Sequence, residues 1–439
     1  MLYYFIMNEN NWKFRWSRDQ LRAMLLEQFE TFWARDTGIV RSRLAQVEAA
    51  LKAPHAIIIS GLRRVGKSTL LAQMAHRLGN EAFYYLNFED DRFLGFQVAD
   101  FNDLFLMLAE LFGDRRIFLI DEIQNVAGWE KFVRRFMDQG YKFLITGSNA
   151  SLLDRELGTL LTGRYLSVEL FPFSFYEYIQ FKKEELPDPL KMTSIDQARL
   201  QRNLGDYLRF GGIPDALKYP ELPLLRSLFD DVLYRDIAAR YRLEAVDSLK
   251  QLGLFIMSNP GGVTSYNKLK QMLHLGSVNT ISSFIEYMEN SWLIFPINVY
   301  DYSIKRQQIA PKKIYCIDTG LSNEIGFHFS PDSGKLLENL VFLTLRKNNP
   351  EIYYYNTLAG YEVDFYLPDK RQLVQVSQQL DNPATRDREV RALQDALASL
   401  PVENALLLND KNDEAFELNG VPVAVQSTAE WLLDQEYSK

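Results

Sequence analysis

The sequence predicts an α/β protein: a parallel sheet, then a helical region closing in a short hairpin, then a second and smaller α/β domain. Three observations carry that prediction. A continuous β-branched run, Ile57–Ile59, has the composition of a strand buried on both faces. Apolar strands at "FYYLNF", "RIFLIDE" and "KFLITGS" follow it, separated by helical segments, and such alternation specifies a parallel sheet. Beyond residue 334 the pattern reads helix, strand, strand, strand, helix, strand.

In chain order, residues 1 to 53 are expected to be helical, with Leu21, Met24, Leu25 and Phe29 at helix spacing. The strand signal then runs to about residue 170. "FPFSFYEYIQF" and the acidic "KKEELPDPL" mark a boundary, and a helical region continues through "YLRFGGIPDAL" and "LFDDVLYRDIAARY" to about 242. Residues 243–325 give three helices and a hairpin, the pattern of a winged helix. Val278, Ile281, Phe284, Ile285 and Met288 share one face of its last helix, which precedes the strand "LIFPINV". The final domain covers 334–439, and within it "YEVDFYLPDKRQLVQVS" reads as two strands joined by a charged turn.

Composition bounds the function. At 439 residues the chain is long for one core, and about three domains are expected. Hydrophobic residues at 47% and charged residues at 24% make it globular. A net charge of -8 argues against a protein coated for nonspecific nucleic-acid binding, though it leaves room for a local basic patch. One cysteine, Cys316, excludes an intramolecular disulfide and zinc-finger spacing. The opening "MLYYFIM" is too short for a signal sequence, and no apolar run reaches the ~18 residues of a membrane helix. The expected setting is a reducing cytoplasm.

The chemistry concentrates early. "GLRRVGKS" satisfies G-x-x-x-x-G-K-[ST] between a buried strand and an amphipathic helix, which is the context of a phosphate-binding P-loop. Its candidate nucleotide contacts are Gly61, Leu62, Arg63, Arg64, Val65, Gly66, Lys67, Ser68 and the following Thr69. Glycines turn backbone N–H groups toward phosphate, and the helix adds its positive end. Lys67 supplies a point charge at the β- and γ-phosphates, and the Ser68 hydroxyl is a ligand for Mg²⁺. Arg63 and Arg64 reach either phosphate or a neighbouring acid. The strand "RIFLIDE" ends in Asp121, a candidate for the Mg²⁺ shell, and Glu122, a candidate to polarise the attacking water. "LITGSN" offers Ser148 or Asn149 to sense the γ-phosphate. Arg164 in "LTGRY" is a candidate for transition-state charge stabilisation, in cis or across a subunit boundary, or else a surface arginine. ATP or ADP with Mg²⁺ is the expected ligand.

Several stretches together resemble the prokaryotic AAA-type ATPases that join a P-loop domain to a C-terminal domain of uncharacterised function. They are "GLRRVGKSTLL", "FLIDEIQNVAGWEKFVRRF", "LITGSNASLL", "TGRYLSVELFPFSFYEY", "YLRFGGIPDAL", "LYRDI" and "PKKIYCIDTGL", in order over most of residues 38–400. The resemblance implies a P-loop ATPase domain over 1–170, a helical lid over 171–242 and a winged helix over 243–325. It also implies that Gly211, Gly212, Ile213 and Pro214 pack against the nucleotide base, with Gly212 and Pro214 as contacts. Arg235 and Asp236 of "LYRDI" match a block of unassigned role.

For 334–439 the resemblance is to restriction-endonuclease-like domains, which hold Mg²⁺ between a helix Glu, a strand Asp and an acid-x-Lys pair. Glu338 and Asp364 match the first two. Gln375 and Ser377 replace the acid and the lysine, so the metal site should be weak or absent and cleavage inefficient. The helix at 277–291 contains no Lys or Arg, and Lys268 and Lys270 on the preceding helix compensate little, so charge does not favour a DNA-reading role. The leading reading is an ATP-hydrolysing switch or motor, in which a trans-acting Arg164 would imply a ring or dimer. Its alternatives are an ATP-regulated, Mg²⁺-dependent nuclease and a scaffold locked by bound nucleotide.

Overall fold

The β-branched run Ile57–Ile59 occupies the middle of β1 (Ala56–Ser60), every residue of which is buried. It is flanked in parallel by β4 (Lys142–Gly147) and β5 (Tyr165–Glu169). With β2 (Phe83–Asn87) and β3 (Ile117–Asp121) it completes a five-stranded parallel sheet in the order β2-β3-β4-β1-β5. The computed structural model of the chain describes residues 16–148, 161, 163–187, 192–327, 333–378, 380–410 and 414–437. The chain divides into two compact units, residues 1–61 with 66–170, and residues 62–65 with 171–439.

Helices Arg18–Trp33, Lys67–Leu78, Phe101–Phe112 and Trp129–Met137 belong to the first unit. The helix expected near the N-terminus starts at Ser17, whose hydroxyl and the Gln20 side chain close a capping box. Its Leu21, Met24 and Leu25 face the core as their spacing predicts, and Phe29 packs its ring 4.9 Å from Phe112. Phe118 of β3 stacks on Phe143 of β4 at 4.9 Å, and Phe101 stacks on Phe132 at 3.9 Å. This aromatic layer fixes the sheet under the loops that follow its strands.

The second unit starts with helices Phe175–Phe181, Ser194–Phe210, Pro214–Lys218 and Leu224–Asp231, the last continuing as a π-helix over Val232–Ala239. Helices Val246–Ser258, Tyr266–Met272 and Val278–Asn290 surround an antiparallel sheet of β6 (Gly262–Thr264), β8 (Lys312–Cys316) and β7 (Ile294–Ile297), in that order. Ile281, Phe284, Ile285 and Met288 are buried as predicted, while Val278 is half-buried.

Beyond helix Ser333–Arg346 lie β9 (Tyr353–Asn356), β10 (Glu362–Leu367) and β11 (Gln372–Val376), joined as antiparallel neighbours. Helix Pro383–Leu397 leads to β12 (Asn404–Asn409), parallel to β11. Two further strands, β13 (Glu414–Leu418) and β14 (Val421–Ser427), and helix Thr428–Tyr437 complete a mixed six-stranded sheet. The sequence pattern is readable only as far as β12. The edge strand β13 carries Glu414 and Glu417, charges that protect a sheet edge and also mask its strand signal. No described helix is long and apolar enough to cross a membrane.

Strand β8 is clasped from one side. Asn339, fully buried, accepts from the Cys316 N–H at 2.7 Å and donates to the Cys316 carbonyl at 2.9 Å. The Cys316 thiol lies against the Ile256 carbonyl, and burial pushes its pKa up to about 12. After β8 the chain enters helix Thr319–Ile325, which presses on the turn ending helix Ser194–Phe210. A Cβ on Gly320 would stand 2.2 Å from the Phe210 carbonyl oxygen and 2.6 Å from the Gly211 nitrogen. Since backbone must move to admit it, Gly320→Ala should cost at least about 2 kcal/mol in urea unfolding.

Candidate functional site

At the carboxyl end of β1 the chain turns through Gly61–Gly66 into helix Lys67–Leu78. Gly66 takes φ +93°, a left-handed conformation that a glycine adopts without strain. No side chain caps that helix, so its first-turn N–H groups are presented as an anion site would need. A buried cation that sequence reasoning missed, Arg41, lies beneath, with Nη1 3.2 Å from where a Gly66 Cβ would sit. Lys67 is 5% exposed; its Nζ donates to the Gly61 carbonyl at 3.0 Å and lies 3.8 Å from Glu122 Oε1.

Asp121 and Glu122 follow at the carboxyl end of β3. The Asp121 carboxylate is buried and accepts from the Thr146 and Ser68 hydroxyls, with the Tyr85 hydroxyl at 3.4 Å. Burial pushes its pKa up, and those two hydroxyls oppose the shift. Thr146 also accepts from the Glu122 N–H at 3.2 Å, so one hydroxyl ties both acids to β4. Glu122 itself has φ +51°, and its carboxylate accepts from the Gln124 amide. Thr146 and Gln124 were not among the sequence candidates. Thr146 was legible in principle, because Ile120 pairs with Ile145 and the next residues on both strands become neighbours. The nominated Ser148 is buried at the same strand end, and Asn149 lies outside the described residues.

Ser68 and Asp121 offer oxygen donors, which suits a hard divalent ion. Among the described residues no group of three or more His, Cys, Asp or Glu could hold a metal alone. Mg²⁺ at this pair therefore requires further oxygens, of the kind nucleotide phosphates supply.

The loop arginines meet acids. Arg63 Nε donates to Asp236 Oδ2 at 2.6 Å, and Arg64 Nη2 lies 3.7 Å from Asp231 Oδ2. Arg164 requires a correction. It directly precedes β5, where its carbonyl accepts from Ala56 N–H at the amino end of β1. The phosphate loop leaves the carboxyl end, roughly 15 Å along a five-residue strand. Its guanidinium pairs with Asp138 at 2.6 Å on the surface. Arg164 thus lies at the end of the sheet opposite the phosphate loop.

The Gly211–Pro214 turn has internal work to do. The Gly212 N–H donates to Asp318 Oδ2 at 2.7 Å, and its carbonyl accepts from Phe173 N–H at 2.7 Å. A Cβ on Gly212 would meet the Phe173 carbonyl at 2.4 Å, and one on Gly211 would meet Asp318 at 2.1 Å. Both glycines are thus demanded by packing within the chain, and Pro214 starts the next helix. Asp318 caps helix Thr319–Ile325 through the Leu321 N–H at 2.8 Å. Burial nevertheless raises its pKa to about 6, against the pull of the Gly212, Leu321 and Gly320 N–H groups.

The C-terminal acids hold a residue the sequence did not suggest. Lys313 of β8 is 1% exposed, with Nζ 2.8 Å from Glu338, 2.8 Å from Glu362 and 3.1 Å from Asp364. Tyr315, two residues on and on the same face, donates to Glu338 at 2.6 Å. Burial alone would lower the lysine pKa, but Glu338, Tyr315, Asp364 and Glu362 hold it well above its ordinary value. Burial and then repulsion from Asp364 raise Glu338 to about 7, with Lys313 opposing. Gln375, in the acid's place, accepts from the Asp364 N–H at 3.1 Å and donates to Glu389 at 2.7 Å. Gln375 lies in β11 and Ser377 directly follows that strand, while the lysine beside these acids comes from β8. Its only signal was its place in "PKKIYCIDTGL".

Comparisons with known proteins match three stretches of the chain. A family model described as an AAA domain matches residues 53–179, and two described as domains of unknown function match 201–330 and 333–428. The uncharacterised protein MJ1544 of Methanocaldococcus jannaschii is 32% identical over 375 residues, covering 82% of this chain and 83% of that one. An uncharacterised protein of Haemophilus influenzae is 30% identical over 394 residues, covering 86% and 94%. Among solved structures, the Aeropyrum pernix ORC1 protein in complex with DNA aligns at 14% identity and TM-score 0.27, covering 67% and 95%.

Two buried charges lend themselves to measurement. Lys313→Ala strands three carboxylates and should lower unfolding free energy by about 3–5 kcal/mol in urea titrations. Because folding raises the Asp318 pKa, its contribution is complete below pH 4 and is lost as pH rises through 6. The stability of Asp318→Asn relative to wild type should therefore increase between pH 4 and 7, by up to about 3 kcal/mol.

Proposed function

The chain belongs to the AAA-type P-loop ATPases, and from that premise we propose that it binds ATP with Mg²⁺ and hydrolyses it to drive a conformational switch. One observation carries the reading. The Ser68 and Thr146 hydroxyls converge on buried Asp121, while buried Lys67 lies 3.8 Å from Glu122, all at the carboxyl ends of parallel strands. Ligands of open α/β sheets bind in that crevice.

Each residue then has a task. The backbone N–H groups of Gly61–Lys67 receive the phosphate oxygens, and Lys67 balances charge at the β- and γ-phosphates. Ser68 and Asp121 hold Mg²⁺, which when bound neutralises charge developing on the phosphates. Glu122 orients and polarises water, and Thr146 fixes both acids relative to β4. Thr69 and Ser148 complete the polar lining as further candidates.

Residues 171–242 we read as a lid, 243–325 as a winged helix and 334–439 as a restriction-endonuclease-like domain without efficient cleavage. The Lys313 ammonium among Glu338, Glu362 and Asp364 supports the last point, because a divalent ion there would have to displace a buried cation. An acidic helix Val278–Asn290, with Glu286 and Glu289 and no Lys or Arg, supports a partner-binding role for the winged helix over DNA reading.

Phosphate release by the purified chain tests the proposal. Lys67→Ala should abolish ATP binding, and Glu122→Gln should keep binding while slowing turnover by roughly 10²–10⁴. Turnover equal to wild type in both variants would sink it.

A further inference from the structure

The loop arginines meet carboxylates carried at the π-helix. Residues Leu62–Val65 group with the second unit, where Leu62 and Val65 are fully buried. Between them Arg64 adopts φ +62°, a left-handed conformation that costs a non-glycine residue of this bulk and persists only when its surroundings enforce it. The surroundings are acidic. Asp236 takes Arg63 Nε at 2.6 Å in a pair that is half-buried, 26% and 14% exposed, and Asp231 stands 3.7 Å from Arg64.

Asp231 and Asp236 are five residues apart. In an α-helix at 3.6 residues per turn they would project about 140° away from each other. Here Asp231 caps and Asp236 lies within the π-helix Val232–Ala239, whose i→i+5 ladder stacks residues five apart on one side. The wide turn lets two consecutive arginines meet two carboxylates of one helix. π-helical geometry is rare and recurs at functional positions.

We propose that Asp236 and Asp231 are positioning residues for the phosphate loop: through Arg63 and Arg64 they hold its tip in the strained conformation that receives phosphate. This rests on the nucleotide site proposed above. The block "LYRDI" thereby acquires a role through Asp236.

The test has two arms on the full-length chain. In nucleotide-free protein, hydrogen–deuterium exchange of peptides spanning 61–66 should speed up in Asp236→Ala. It should return toward wild type in Asp236→Asn, whose amide oxygen can still accept from Arg63 Nε. In the second arm, fluorescent ATP analogue should bind Asp236→Ala about fivefold more weakly than wild type, with Asp236→Asn intermediate and kcat at saturating ATP little changed. Unchanged exchange at 61–66 in Asp236→Ala overturns the inference, whatever happens to nucleotide. So does Asp236→Asn behaving like Asp236→Ala in exchange. Wild-type protein that binds no ATP, with the exchange effect present, sinks the nucleotide reading and leaves the positioning role standing. Should Asp236→Ala fold poorly, Arg63→Ala repeats the exchange arm from the other side of the pair.

Discussion

An ion cannot be left in a protein interior without partners, and that constraint organises both halves of this chain. Lys67 and Asp121 are nearly inaccessible, so their partners must come to them. The backbone of Gly61, the carboxylate of Glu122 and the hydroxyls of Ser68 and Thr146 do so from the ends of adjacent strands and the helix start. Parallel pairing of β1, β3 and β4 gathers these groups at one end of the sheet. The aromatic layer of Phe118, Phe143, Phe101 and Phe132 sets that pairing. Polar site and apolar core are therefore one construction.

The same constraint explains the segment after the hairpin. Strand β8 and the residues following it carry Lys313, Tyr315, Cys316, Asp318 and Gly320, and each has a different neighbour. Lys313 and Tyr315 serve the C-terminal acids, and the Cys316 backbone is held by Asn339. Asp318 secures the Gly212 N–H, and Gly320 admits the Phe210 carbonyl. One short stretch thus joins helix Ser194–Phe210, the antiparallel sheet and the last sheet, which is a physical reason for "PKKIYCIDTGL" to read as a block.

Much of this was legible in the sequence, and what escaped did so for definite reasons. The parallel sheet, the phosphate loop and the acids of β3 announce themselves locally, through β-branched runs, glycine spacing and a strand ending in Asp-Glu. Thr146 needed the strand order, since a threonine at a strand end has no intrinsic meaning until its neighbour is known. Arg164 looked like a charge stabiliser in linear order, and only the register of β5 against β1 sent it to the other end of the sheet. Lys313 was invisible because its partners lie 25 to 51 residues later, on a helix and on β10. The π-helix at Val232–Ala239 was invisible too, because no composition distinguishes it from an α-helix.

The burial of Cys316 has a use of its own. It is the single cysteine of the chain, enclosed beside Ile256 with its thiol pushed up to about 12, so almost no thiolate exists at neutral pH. Both the burial and the protonated thiol disfavour reaction with maleimides. A cysteine introduced at an exposed position such as Leu94 or Phe327, 77% accessible in both cases, would carry a dye or spin label alone. The fold supplies a ready background for distance measurements between labelled elements, with no thiol to remove first.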